Sequence, residues 1–130
     1  MNVFITCEVD VGVKSILNIG SFDISSWDTS SLNVYQNKIV FTKNYAHFIF
    51  EAQVKFASTG YKQLYVPKDL RQIFLQKANW HNGSSQRFIM LYNNRWTDTY
   101  MIEYNTKLQV DYYAETTNQH YMKLDLWIYF

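Results

Sequence analysis

Hydrophobic and polar residues alternate most cleanly over Tyr45–Phe56. Ala46, Phe48, Phe50, Ala52, Val54 and Phe56 fall on one side; His47, Ile49, Glu51, Gln53 and Lys55 fall on the other. Successive Cβ atoms of an extended chain point to opposite faces, so this period of two predicts a long strand with a buried phenylalanine face. A helix would gather Phe48, Glu51, Ala52 and Lys55 onto one stripe, a poor core face. The same alternation recurs at both ends of the chain. Val3, Ile5, Cys7, Val9 and Val11 oppose Phe4, Thr6, Glu8 and Asp10. Met122, Leu124, Leu126, Ile128 and Phe130 oppose Lys123, Asp125, Trp127 and Tyr129.

Between these strands the punctuation is that of an all-β domain. Ile16–Ile19 is a short apolar run, turned at Gly20-Ser21, with a further short strand at Phe22–Ile24. Ser25–Leu32 reads as a polar loop in which Trp27 is either an exposed contact or, the favoured reading, a plug over a barrel end. Asn33–Tyr35 and Lys38–Thr42 suggest a hairpin turned at Gln36-Asn37, with Asn37 in the left-handed region. Ala57–Gly60 turns the chain into a strand at Tyr61–Val66, where Pro67 ends the ladder. Asn82-Gly83 is a strong hairpin signal. Gln86–Tyr92 is a strand, Asn93–Trp96 a turn, and Thr97–Tyr104 with Lys107–Glu115 a hairpin closed at Asn105-Thr106. Lys68–Trp80 supports two readings. It is a short helix capped at Asp69 with Leu70, Ile73, Phe74 and Lys77 on one stripe, or a strand over Leu70–Gln76. The all-β context tips the choice towards the strand. The expected architecture is one domain over residues 1–130, a jelly-roll β-sandwich of about eight to ten antiparallel strands, with one short helix near 68–78 as the alternative.

Composition narrows the function classes. With 130 residues, four Gly and one Pro, the chain fits a single packed domain rather than a linker or disordered segment. A net charge of +1 supplies no long-range field for nucleic acid or acidic lipid. Cys7 stands alone, which excludes an intrachain disulfide and a cysteine-based metal site, and its place in the alternation makes it a buried thiol. Met1–Val13 lacks the basic start and continuous apolar run of a secretion signal, and no stretch approaches the ~20 apolar residues of a membrane helix. The expectation is a protein made in a host cytoplasm without a signal peptide.

The order of signals then resembles the C1q/TNF-like jelly roll, especially its phage and bacterial members. The resemblance is carried by Ile39-Val40-Phe41-Thr42, the aromatic strand Tyr45–Phe56, Ser58-Thr59-Gly60-Tyr61, Lys62-Gln63-Leu64-Tyr65, and a closing apolar strand. Asn44 stands where the family carries glycine. The resemblance implies a homotrimer packed through an aromatic outer sheet face, for which Ile49, Glu51, Trp127 and Tyr129 are the candidates. It also implies a virion protein, decorating a phage capsid or working in a tail fibre beside other virion proteins. A cell-derived soluble lectin or ligand-like C1q/TNF-type module is the alternative.

No nucleophile, phosphate-binding or dinucleotide motif is present, and the expectation is that the protein is not an enzyme. Ca²⁺ is considered for Asp10, Asp23, Asp28 and Asp98, and a site built from His81, His120 and Asp98 is the weaker alternative. For binding, Trp80, His81, Asn94, Arg95, Trp96, Asp98 and Tyr100 form the candidate set, placed on loops. Indole and phenol faces cover the apolar side of a sugar ring while Asn, Asp and Arg satisfy its hydroxyls, so the expected ligand is host-surface carbohydrate or a receptor.

Overall fold

The computed structural model describes residues 16–130. The strand expected at Val3–Val11, with Cys7 and Asp10, lies outside them. Eight strands and one helix follow in order: β1 (Ile16–Gly20), β2 (Thr29–Thr42), β3 (Tyr45–Phe56), β4 (Gly60–Tyr65), α1 (Lys68–Ala78), β5 (Ser85–Tyr92), β6 (Arg95–Tyr104), β7 (Lys107–Ala114) and β8 (His120–Tyr129). The strands form one antiparallel sheet in the order β1-β2-β3-β8-β5-β6-β7-β4. The sheet bends at β8–β5, where only Leu91–Lys123 and Tyr92–Met122 pair. Beyond the bend it curls round until its two ends meet: Asp23 and Tyr65 exchange backbone hydrogen bonds of 2.8 and 3.1 Å. The result is an all-β, jelly-roll-like sandwich with one layer of β1, β2, β3 and β8 and another of β5, β6, β7 and β4.

The alternation over Tyr45–Phe56 is realised in full. Ala46, Phe48, Phe50, Ala52 and Val54 are wholly buried and Phe56 nearly so. Beside them in the same layer β8 contributes Met122, Leu124 and Leu126, and across the core β7 contributes Leu108, Val110 and Tyr112. Phe48 sits at the centre, its ring 6.0 Å from Phe22, 5.9 Å from Phe41 and 5.7 Å from Phe74.

Each end of the sandwich has its own plug. Trp27 closes one end, as its isolation in a polar stretch suggests. Its ring packs on Phe50 and Phe56 at 5.5 and 5.1 Å, and its Nε1–H donates to the Gln63 carbonyl at 2.8 Å. Helix α1 closes the other end, so Lys68–Ala78 is the helix and not the strand that the all-β context favoured. The stripe Leu70 and Phe74 points inward. Asp69 in the first turn and Lys77 in the last suit the helix dipole, and Asn79 ends the helix at φ 57°. The helix packs so closely on β1 that a β-carbon added to Gly20 would stand 2.3 Å from Leu70 Cδ1.

Two ion pairs neutralise charge at the edges of this packing, each with one buried partner, Glu103 in one and Lys62 in the other. Arg71 on α1 meets Glu103, which is 1% exposed, with Nε donating to Oε1 at 3.0 Å. Lys62 donates to Asp28 at 2.8 Å and to Ser58 Oγ at 3.0 Å, with its ammonium over the Phe56 ring.

Several local expectations change. Residues 29–42 make one continuous strand, so the loop ends at Asp28 and there is no hairpin at Gln36-Asn37; a bulge between Val34 and Gln36 takes up the irregularity. Asn37 instead clamps Phe22: its Nδ2 donates to the Phe22 carbonyl and its Oδ1 accepts from the Phe22 N–H. Neither Asn37 nor Asn44 is left-handed; the residues that are include Asn93, Asn94, Asn105 and Thr106, at the two hairpin turns β5–β6 and β6–β7. Asn82-Gly83 turns the chain from α1 into β5 rather than closing a hairpin.

Candidate functional site

The seven residues expected to gather on loops divide between two places. Trp80 and His81 lie beyond the C-terminus of α1, where Trp80 is half-buried against Phe74 at 5.0 Å. Asn94 sits in the β5–β6 turn. Arg95, Trp96, Asp98 and Tyr100 belong to strand β6, not to a loop. On β6 the inward positions are Thr99, Met101 and Glu103, so Trp96, Asp98, Tyr100, Ile102 and Tyr104 share the outer face. Trp96 is 67% exposed and Tyr100 is 48% exposed.

The neighbouring strands extend this surface. Register places Arg87 and Asp111 on either side of Tyr100, with Gln63 next to Asp111. Ile89 flanks Asp98 on one side, and Tyr113 with Tyr61 continue the row on the other. Tyr61 and Tyr113 are exposed and pack edge to face at 5.0 Å. Arg87 Nη2 donates to Asp98 at 3.2 Å. Trp96, Tyr100, Tyr113 and Tyr61 therefore stand on one rigid sheet face around an aspartate–arginine pair.

A slot opens within this face. The β6–β7 ladder stops at Tyr100–Asp111, although β5 pairs with β6 as far as Arg95 and β4 pairs with β7 as far as Ala114. In place of the next ladder bond, the Thr99 hydroxyl donates to the Asp111 carbonyl at 2.6 Å. The parted strands enclose about 40 Å³, floored by Met90, Tyr92 and Tyr112 and walled by Thr97, Asp98, Thr99 and Tyr113. The Arg95–Glu115 ion pair bridges its far end. Beneath the floor, Tyr112 and His120 share a 2.6 Å hydrogen bond, and His120 Nδ1 lies 3.0 Å from the Asn118 carbonyl. That carbonyl can only accept, so Nδ1 carries a proton and Nε2 accepts from the Tyr112 hydroxyl. Burial pushes the Tyr112 hydroxyl far above its ordinary pKa, so it remains a donor.

The residues expected at a trimer interface occupy the opposite outer face. Ile49, Glu51, Trp127 and Tyr129 lie on the paired strands β3 and β8. His47 stacks on Trp127 at 3.7 Å and meets Asp125 at 2.6 Å, while Tyr45 packs on Trp127 and Tyr129. Tyr129 is 73% exposed and Trp127 is 44% exposed. Glu51 is held within the chain, accepting from Gln36 Nε2 at 2.6 Å and from the Tyr121 hydroxyl. Those two bonds, Tyr121 first, lower the Glu51 carboxyl below its ordinary range.

Of the aspartates considered for Ca²⁺, Asp10 lies outside the described residues, and Asp23, Asp28 and Asp98 do not converge. Asp23 accepts from Ser25, Asp28 from Ser58 and Lys62, and Asp98 from Arg87. Among the described residues no group of three or more His, Cys, Asp and Glu comes together. His81 is exposed beside Asn82 and His120 is buried under the slot, so the site imagined from His81, His120 and Asp98 does not form.

Trp96, Asp98 and Tyr100 of the candidate set share this face with Tyr61, Tyr113 and Arg87, which lay outside that set. The alternation of Tyr61 with Leu64-flanking polar positions marks an outer face, but only the β4–β7 and β5–β6 registers bring these side chains beside β6. No protein-family model matches the chain, and no curated protein or solved structure matches it significantly.

Proposed function

We propose that this domain is an adhesion module that binds surface carbohydrate through the outer face of β5, β6, β7 and β4. One observation carries the reading: Trp96, Tyr100, Tyr113 and Tyr61 are exposed together on a rigid sheet, interleaved with Asp98, Arg87 and Gln63. Aromatic faces bury the C–H side of a pyranose, and charged or amide groups at fixed positions bond its hydroxyls. Trp96 and Tyr100, four residues apart on one strand, are separated by about 13 Å, enough for successive sugar rings. A large exposed apolar surface rimmed by polar groups is a mark of recognition.

In this proposal the module serves on a virion, as a trimeric unit of a phage capsid or tail. That part rests on the resemblance to the C1q/TNF-like jelly rolls of phages. The second aromatic surface, Tyr45, Ile49, Trp127 and Tyr129, is the contact between copies and leaves the β6 face outward. The test is a glycan array probed with the wild type and with Trp96→Ala/Tyr113→Ala. The wild type binds a subset of glycans and the double variant, still folded by circular dichroism, loses them. A wild type that binds no glycan, or a double variant that binds as well as the wild type, refutes the assignment.

A further inference from the structure

We infer that the slot between β6 and β7 receives the acetamido group of an N-acetylhexosamine, so that the module selects N-acetylated sugars over the parent hexoses. The inference rests on the reading of the β6 face as a carbohydrate platform and names its ligand class.

The β6–β7 ladder is interrupted beyond Tyr100–Asp111. In an antiparallel sheet alternate residues aim N–H and C=O at each neighbour. Over Arg95–Thr99 and Tyr112–Ala114 the neighbour has moved away, and no β6–β7 ladder pairing replaces it. The slot is thus walled in part by peptide groups in want of a peptide partner. An acetamido substituent is a secondary amide with one N–H and one C=O, the chemistry of the missing partner. The Thr97 hydroxyl adds a donor and acceptor at the wall, and Thr99 Oγ1, whose proton goes to the Asp111 carbonyl, adds an acceptor.

Size and polarity agree. The volume of about 40 Å³ is several times the ~10–15 Å³ that one water requires, and suits a group of a few heavy atoms. An inserted β-strand does not fit, since it would need ~4.8 Å of clearance on each side, and the Arg95–Glu115 pair spans the gap. Met90 and the Tyr92 ring at the floor offer an apolar seat for the acetyl methyl. At the mouth Tyr113 and, along β6, Trp96 are placed to cover the ring that carries the substituent, with Asp98 beside it for a hydroxyl. Of the clefts on the molecule, this one joins the exposed aromatic row to a buried, hydroxyl-lined floor.

The probes are serum-albumin conjugates bearing matched sugars: glucose and N-acetylglucosamine, galactose and N-acetylgalactosamine, together with glucosamine, which keeps the nitrogen and lacks the acetyl group. Binding of the full chain is read by biolayer interferometry. At least one N-acetylated conjugate binds roughly tenfold to a hundredfold tighter than its parent hexose and than the free amine, the ratio that two hydrogen bonds supply. Thr97→Leu, which fills the slot, brings N-acetylhexosamine binding down to the level of the hexose. Thr97→Val keeps the volume, guards against misfolding of the leucine variant, and narrows the ratio in the same direction. Equal binding of acetylated and parent sugars, or a preference that survives both substitutions, overturns the slot assignment and leaves the carbohydrate platform standing. No binding to any conjugate overturns both.

Discussion

Phe48 and Ile49 are adjacent in sequence and opposite in environment, which makes the pair a sharp test of the sandwich. Phe48 is wholly buried between the layers and touches the rings of Phe22, Phe41 and Phe74. Phe48→Ala removes a ring whose neighbours come from β2, α1 and the segment after β1, so no single element can close the hole. Such substitutions cost about 3–5 kcal/mol. In a domain of this size that is a fall in Tm of roughly 10–20 °C. Ile49 is half-buried on the outer face opposite Asp125. Ile49→Ala loses cross-strand contacts worth about 1 kcal/mol or less. Urea unfolding followed by far-UV circular dichroism reads both, at an unchanged m-value. If copies associate through the Ile49 face, the Ile49→Ala cost varies with protein concentration and the Phe48→Ala cost does not. Equal costs at low concentration, or a larger cost at Ile49, would contradict the inward placement of the phenylalanines.

Further outcomes follow from the polar contacts and the close packing. Glu103→Ala leaves Arg71 without its carboxylate and destabilises the domain by about 3–5 kcal/mol, whereas Arg71→Met/Glu103→Leu costs much less; paired urea titrations measure both. Asp28 is held down to about 2 from its ordinary 3.8, by the hydrogen bond from Lys62 first and Ser58 second. Its contribution to stability is complete above 3.8 and lost as the pH falls through about 2, so Asp28→Asn flattens the acid limb of the stability–pH curve. Gly20→Ala drives a methyl into Leu70 and lowers Tm, and Gly20→Ala/Leu70→Ala costs less than the two separate losses combined, because the clash is relieved. Trp127→Glu places a charge on the aromatic face of β3 and β8; if copies associate through that face, as proposed, light scattering shows the variant shifted to monomer relative to the wild type.

What could be read along the chain was what the chain repeats locally. The period of two over Tyr45–Phe56 and Tyr121–Phe130 needs no partner to be visible, and both strands formed with the expected faces inward, except that β8 ends at Tyr129 and Phe130 beyond it is 38% exposed against Phe74. The helix was harder. Leu70, Ile73, Phe74 and Lys77 gave its stripe, but a short amphipathic segment satisfies a helix and a strand almost equally, and what decides it is the open end of the sandwich that Phe74 fills. Asn37 misled because asparagine suits a turn, while here its amide finds the Phe22 backbone, a partner 15 residues away. The candidate face on β6 was half legible. Trp96, Asp98 and Tyr100 carry the chemistry in their side chains, but Tyr61 and Tyr113 join them through strand pairing that no local pattern encodes. The slot was invisible, because it is made by the parting of two backbones.

The most direct test of the carbohydrate platform uses the four tryptophans as reporters, since each stands in a different place: Trp27 and Trp80 packed at the two ends, Trp96 on the β6 face and Trp127 on the opposite one. Their indole N–H resonances, assigned by single substitutions, are followed by ¹H–¹⁵N NMR as chitotriose or cellotriose is added. The account predicts a saturable shift of the Trp96 indole, with Trp27, Trp80 and Trp127 unmoved. A shift centred on Trp127, or saturation of binding with Trp96 unchanged, would contradict it.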